Sequence, residues 1–234
     1  MRKRNYPSIA EIAREMVMQH PSIMDCIKRD IINYSALSSA MKEDIEQKLQ
    51  KKIREEAIKV ALIRFSQEVT EKDKILEDRI NWLLKNSTVE LKSDIAVITV
   101  KQNIIIKKIN EIMNIASRSR FFQLTQGTRT FTISFDKKIM GDMLKEIGEE
   151  NVEKFIDEQS AIIIISPVEV IETPGFVSYI TTQLAWNSIN ITQIISCHED
   201  TILILYRKDA QKAYNIIEEM IMKHRLNSNN IKLK

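Results

Sequence analysis

The chain has 234 residues, 44% apolar and 29% charged, the balance of an ordinary folded protein with one to three small domains. A net charge of +3 neither requires nucleic acid nor excludes it. Two distant cysteines, Cys26 and Cys197, offer no ligand spacing, so neither a disulfide framework nor a metal site is expected. No apolar run reaches spanning length and no apolar segment follows the basic start Arg2-Lys3-Arg4, which makes the cytoplasm the expected compartment.

Residues 8 to 86 predict helices, and residues 1 to 86 are taken as one helical module. Ser8 with Glu11 forms a capping box before Ile12, Met16 and Val17, and His20-Pro21 ends that helix. A short second helix carries Ile23, Cys26 and Ile27. A third follows Asn33-Tyr34-Ser35 through Leu37, Met41, Ile45 and Leu49. A fourth runs through Ile53, Ala57, Val60, Ala61 and Phe65. The charged stretch Glu71 to Lys74 reads as a break before a fifth with Ile75, Ile80, Leu83 and Leu84. No Gly or Pro softens the segment between Glu71 and Lys92, so this last helix suits a stiff connector.

Short helices joined by tight turns are compatible with a helix-turn-helix. The residues that would contact nucleic acid are Lys28, Arg29, Tyr34, Ser35 and Ser38. Yet the candidate recognition helix sets Lys42 and Lys48 against Glu43, Asp44 and Glu46, without the basic excess that phosphate binding favours. A helical docking or dimerisation module fits that balance better.

From Thr88 the apolar period changes to two. Val89 to Val100 reads as a hairpin or a strand bent at Lys92-Ser93-Asp94, and Ile104 to Ala116 as a helix. Phe121 to Phe135 is a hairpin around Gln126-Gly127-Thr128. A helix from Asp136 closes at Gly148, and Val152 to Ile156 supplies a short strand. The same order recurs next. Ile162 to Ile165 reads as a strand buried on both faces, and a helix follows with Phe176, Val177, Ile180 and Leu184 inside. Strands at Ile189 to Ser196 and Thr201 to Tyr206 enclose the turn His198-Glu199-Asp200, and a last helix follows Asp209. Gln123 falls on Gln193 when the two halves are overlaid.

At Thr173-Pro174-Gly175, a strand turns into a helix. Thr173 suits the N-cap and Pro174 the first helical position. The N–H groups of Gly175, Phe176 and Val177 lack intrahelical partners there, and the helix dipole adds partial positive charge, so a small carboxylate is the natural guest. A tight connection that binds only water is the alternative.

Thr173-Pro174-Gly175-Phe176, Leu184-Ala185, Ile189-Asn190-Ile191, Ile195-Ser196 and the strand Thr201 to Leu205 resemble, in order and spacing, the ACT domain of aspartokinases and other amino-acid enzymes. The resemblance covers roughly residues 160 to 225 and implies a ferredoxin-like βαββαβ unit that pairs with another and holds a free amino acid between them. It implies an α+β protein: the helical module, a first ACT-like unit at 87–157 and a second at 158–234. The ligand residues would be Thr173, Pro174, Gly175, Phe176, Val177, Asn190 and Ile191, with Gln123 or Gln126 from the first unit. The first unit departs from the pattern, with Lys101-Gln102-Asn103 where Pro-Gly is expected, so its turn is not expected to cradle an anion.

Four glycines cannot make a phosphate loop, the three histidines are scattered, and no nucleophile has a visible base. Cys197-His198-Glu199 reads as a solvated turn. The expectation is a non-catalytic regulator without cofactor or metal, homodimeric or a higher homo-oligomer. It senses a free amino acid and acts on DNA, or docks on a biosynthetic enzyme such as an aspartokinase or homoserine dehydrogenase. Proteins of this build resemble archaeal regulators of amino-acid metabolism.

Overall fold

In a computed structural model, which describes residues 7–229, the helices come first: α1 (Ile9–Met18), α2 (Pro21–Lys28), α3 (Tyr34–Leu49) and α4 (Glu55–Asn86). The basic residues Arg2, Lys3 and Arg4 lie outside the described residues. The chain divides into two units, Met1–Arg79 and Ile80–Lys234. In the first unit the Ser8–Glu11 capping box forms, and the Asn33 side chain accepts from the N–H groups of Ser35 and Ala36 to start α3. Its core joins Ile12, Ala13 and Val17 of α1 and Ile27 of α2 to Met41, Ile45 and Leu49 of α3.

The start of α4 corrects the sequence reading twice. Its buried stripe is Ile58, Leu62 and Phe65, whereas Ala57 and Val60 are exposed. The helix also continues through Glu71 to Lys74 without a break. Lys, Glu and Asp end no helix by themselves; only Pro, or Gly at the right place, stops one reliably.

The second unit is built on one antiparallel sheet. Its strands are β1 (Thr88–Lys101), β2 (Phe122–Gln126), β3 (Thr130–Asp136), β4 (Val152–Ile165), β5 (Ile191–Cys197) and β6 (Asp200–Tyr206), in the order β2-β3-β1-β4-β6-β5. Helices α5 (Gln102–Lys107), α6 (Ile109–Ala116) and α7 (Met140–Ile147) serve the first half. Helices α8 (Phe176–Trp186) and α9 (Arg207–Asn229) serve the second. The helix expected from Ile104 to Ala116 is interrupted at Lys108, and Gly148 closes α7 at φ 87°.

The two long strands are each shared. β1, β2, β3 and β4 form one βαββαβ set in the order β2-β3-β1-β4. β4, β5 and β6 form a second, whose fourth strand is the start of β1: Thr88 to Lys92 pair with Ile165 to Ala161. The division expected at 157/158 therefore falls inside β4. Asp94 and Glu158, at φ 61° and 53°, mark two of the three places where the β1–β4 register slips, the third lying between Thr99 and Val100. Arg207 pairs with Asp94, and the Lys137 ammonium lies 2.6 Å from Asp157 and 3.0 Å from Glu158.

At these bulges the sheet folds over. The Ser134 hydroxyl on β3 donates to Gln193 Oε1 on β5 at 2.7 Å. Four strand steps separate β3 from β5 in the sheet order, which is roughly 19 Å in a flat sheet. The halves thus stack face to face, with Ile95 and Val97 of β1, Ala161 and Ile163 of β4, and Ile202 and Ile204 of β6 in one core between them. The alternate residues Ala96, Ile98, Val100, Ile133 and Phe135 face α5, α6 and α7. On the other half, α9 packs against β1, β4 and β6. This is why Ile162 to Ile165 is apolar without interruption.

Asp136 ends β3 and holds the following turn. It is 3% exposed, accepts the Lys138 N–H at 3.1 Å, and accepts Arg120 Nε at 2.9 Å. Burial pushes its carboxyl up, but the Lys138 N–H and the Arg120 guanidinium outweigh burial and hold it below the usual carboxylate range. A depressed folded pKa contributes stability that is present above the unfolded value and lost as pH falls through the folded one. Urea melts at neutral and acid pH should show Asp136→Asn losing less stability on acidification than wild type. Asp136→Ala at neutral pH should cost about 1 kcal/mol through the lost cap.

Candidate functional site

The end of β4 leads into a ten-residue passage that organises the site. The Ser166 N–H donates to Glu199 O at 2.9 Å, tying the strand end to the β5–β6 turn. A 3-10 turn over Val168–Glu172 follows, closed by the Thr173 N–H to Val170 O and the Thr173 hydroxyl to Glu169 O at 2.8 Å. Thr173 is therefore spent on this turn and is not the cap of α8. The N-cap is Gly175, at φ 87°, where a Cβ is strained, and its carbonyl accepts the Tyr179 N–H at 2.8 Å. By helix geometry the N–H groups of Gly175, Phe176, Val177 and Ser178 have no intrahelical acceptor.

These groups border a cavity of about 450 Å³. Thr173, Gly175, Phe176, Val177 and Ser178 line it on one side, and Ser196, His198 and Thr201 on the other. Val170 and Ile171 of the 3-10 turn complete it. The lining joins hydroxyls, backbone donors and small apolar groups, suited to a compact zwitterion with a short side chain.

The cavity wall is also tied to the end of α4. A Cβ on Gly175 would lie 3.7 Å from Ile80 Cδ1. The buried Ser87 hydroxyl meets the Ser166 hydroxyl at 2.9 Å, and Arg225 donates to Lys85 O at 3.0 Å and Ser87 O at 2.6 Å. The carbonyls that end α4 thus have a cationic cap.

Of the residues expected at the site, Thr173, Gly175, Phe176 and Val177 line the cavity, and Pro174 sits exposed between them. Asn190 and Ile191 do not. Asn190 precedes β5 and Ile191 begins it, at the end opposite Ser196 and His198 and after the full length of α8, roughly 20 Å along the strand. Gln123 pairs with Ser134 in register on β2, outside this cavity, and Gln126 ends the same strand exposed. Ser178, Ser196, His198 and Thr201 also line the cavity, though they were not among the residues expected there. The tie between strand end and β5–β6 turn that brings three of them in is a long-range contact without a local signature.

Among the candidate nucleic-acid residues, Ser38 is fully buried with its hydroxyl on Ser35 O, and Tyr34 packs against the helical core. Ser38 is thus not available to a groove, and Tyr34 is partly buried. Lys28 is half-buried, and only Arg29 and Ser35 are exposed. Along α3 the exposed positions include Glu43, Asp44 and Gln47, and Lys48 lies 3.8 Å from Glu15.

Among the described residues no His, Cys, Asp and Glu cluster could hold a metal ion, and no helix is long and apolar enough to cross a membrane. Residues 154–219 match the family model of the ACT domain. No curated protein matches the chain. Among solved structures, the aspartate kinase of Clostridium acetobutylicum is similar at 16% identity and a TM-score of 0.46, over 58% of this chain. This chain covers 34% of that kinase, about a third of its length. The regulatory subunit of aspartate kinase from Thermus thermophilus is similar at 16% identity and a TM-score of 0.48, over 56% of this chain and 95% of that one. A protein of unknown function from Vibrio cholerae matches at 14% identity and 0.43, over 62% and 97%.

Proposed function

We propose that this chain, whose residues 154–219 form an ACT domain, is a non-catalytic regulator that binds a small free amino acid in the cavity at Gly175. The observation that carries the reading is the left-handed Gly175 opening α8 against a cavity of about 450 Å³ lined by Thr173, Ser178, Ser196 and Thr201. The carboxylate would take the free N–H groups after Gly175, and the hydroxyls would take the ammonium.

The output passes to the helical module. The ligand must favour one arrangement over another, because equal affinity for both shifts nothing. Docking on an acidic face of a biosynthetic enzyme has more support than DNA reading. Ser38 is buried and Tyr34 packs against the core, and a groove of about 480 Å³ between α1 and α4 is lined by Val60 and Ala61, by Lys51 and Arg64, and by Arg14 paired with Glu68.

A thermal-shift screen of the purified chain against the twenty amino acids tests the reading. Ligand binding to the folded state alone must raise stability, by about 2.7 kcal/mol at a hundredfold excess over Kd. A set without any positive shift sinks it. Asn190 adds a second test, since it reaches the Gly175 cavity only from a second copy. In a shared site, Asn190→Ala weakens binding in a concentration-dependent way; binding unchanged at every protein concentration removes the homo-oligomeric site.

A further inference from the structure

The end of β1 repeats the architecture of the end of β4, with different chemistry. The Gln102 N–H donates to Arg129 O at 3.1 Å, as the Ser166 N–H donates to Glu199 O at 2.9 Å. The same step in sequence carries Gln123 onto Gln193 and Arg129 onto Glu199, so the two strand-to-turn ties are equivalent by the internal repeat. A second cavity, of about 760 Å³, opens at this equivalent place, and Lys101, Arg129, Glu153, Gln102, Asn103 and Thr128 line it. No Pro-Gly turn is needed to form it, because side chains replace the backbone donors.

We propose that this cavity is a separate binding site for an α-amino dicarboxylate. Lys101 and Arg129 converge there with Glu153, and none of the three is paired with another or with any further charged group among the described residues. Charges that a concavity leaves free of one another can take a ligand of complementary charge. An α-amino dicarboxylate brings two carboxylates and one ammonium, matching two cations and one carboxylate, and Arg129 can hold a carboxylate bidentately. The backbone that presents them is fixed: Lys101 pairs with Thr130 across β1 and β3, and the Gly127 N–H closes the hairpin on Thr130 O at 2.8 Å. The lining of the cavity at Gly175 includes no Asp, Glu, Lys or Arg, so the two sites would select different amino acids.

Calorimetric titration of the full chain with L-glutamate and with L-aspartate tests this. Lys101, Arg129 and Glu153 are exposed, so their replacement leaves the fold intact. One of the two ligands should bind. Arg129→Ala and Lys101→Ala should each weaken it about tenfold or more, and Gly175→Val should leave it unchanged. Glu153→Gln should abolish the preference for the amino acid over the dicarboxylate that lacks the amine. No binding of either ligand at millimolar concentration overturns the proposal. So does binding that survives both Arg129→Ala and Lys101→Ala, or binding lost only in Gly175→Val, which would place the ligand in the other cavity.

Discussion

Gly175→Val should weaken amino-acid binding in the cavity at Gly175 about a hundredfold. Position 175 has φ 87°, a region that costs a β-branched residue roughly 1–2 kcal/mol or more. The added Cβ alone would meet Ile80 Cδ1 at an ordinary 3.7 Å, so the further methyls press on α4. Relieving either strain turns the N–H groups away from the cavity. Losing two hydrogen bonds to a carboxylate is worth about 3 kcal/mol, or about a hundredfold in Kd. Calorimetry with the effector from the thermal screen reads this directly. An unchanged Kd in a folded variant would mean that the ligand does not use the Gly175 turn.

Phe135→Ala should be the most destabilising of these changes. Phe135 is fully buried on β3, among Ala96, Ile98, Ile112 and Met143. Truncating a buried Phe costs about 3–5 kcal/mol in transfer and cavity terms. The shared strands add a second expectation. β1 and β4 run through both halves of the sheet, so the α8–α9 half should be lost in the same transition. Urea unfolding followed by circular dichroism and by hydrogen exchange of β5 and β6 checks it. If β5 and β6 remain protected after β2 and β3 have exchanged, the halves are not one cooperative unit.

Much of this was legible because it is local. The run Ile162 to Ile165 announced a strand covered on both faces, Asn33 a helix start, and Gly127 a hairpin. Other features depend on distant partners. On α4 both the Ile58–Leu62 stripe and the Ala57–Val60–Ala61 stripe are apolar, and only the packing of α1 and α3 selects the first. Thr173-Pro174 has the composition of a helix start, yet the 3-10 turn before it consumes the threonine hydroxyl. That the fourth strand of the second set lies near residue 90 has no trace in the residues after 158. Pairing is non-local, and the order of elements in the chain does not give it. The candidate site was half readable for the same reason: its helix side is contiguous, and its Ser196, His198 and Thr201 side arrives through the sheet.

The bulges at Asp94 and Glu158 have a mechanical consequence. A bonded ladder resists bending along its whole length, and it is weakest where the register slips and carbonyls go unmatched. A third slip lies further on, between Thr99 and Val100; the other two are adjacent, at Asp94 between Lys92 and Ile95 on β1 and at Glu158 between Gln159 and Ile156 on β4. They define a single axis of compliance across the sheet. Arg207 from the start of α9 fastens one side of that axis at Asp94, and Lys137 from the approach to α7 fastens the other at Asp157 and Glu158. These exposed pairs are each worth about 1 kcal/mol or less, so they set the rest angle without locking it. Opening and closing of the two leaves should therefore soften as ionic strength rises, while the apolar packing within each leaf stays as it is.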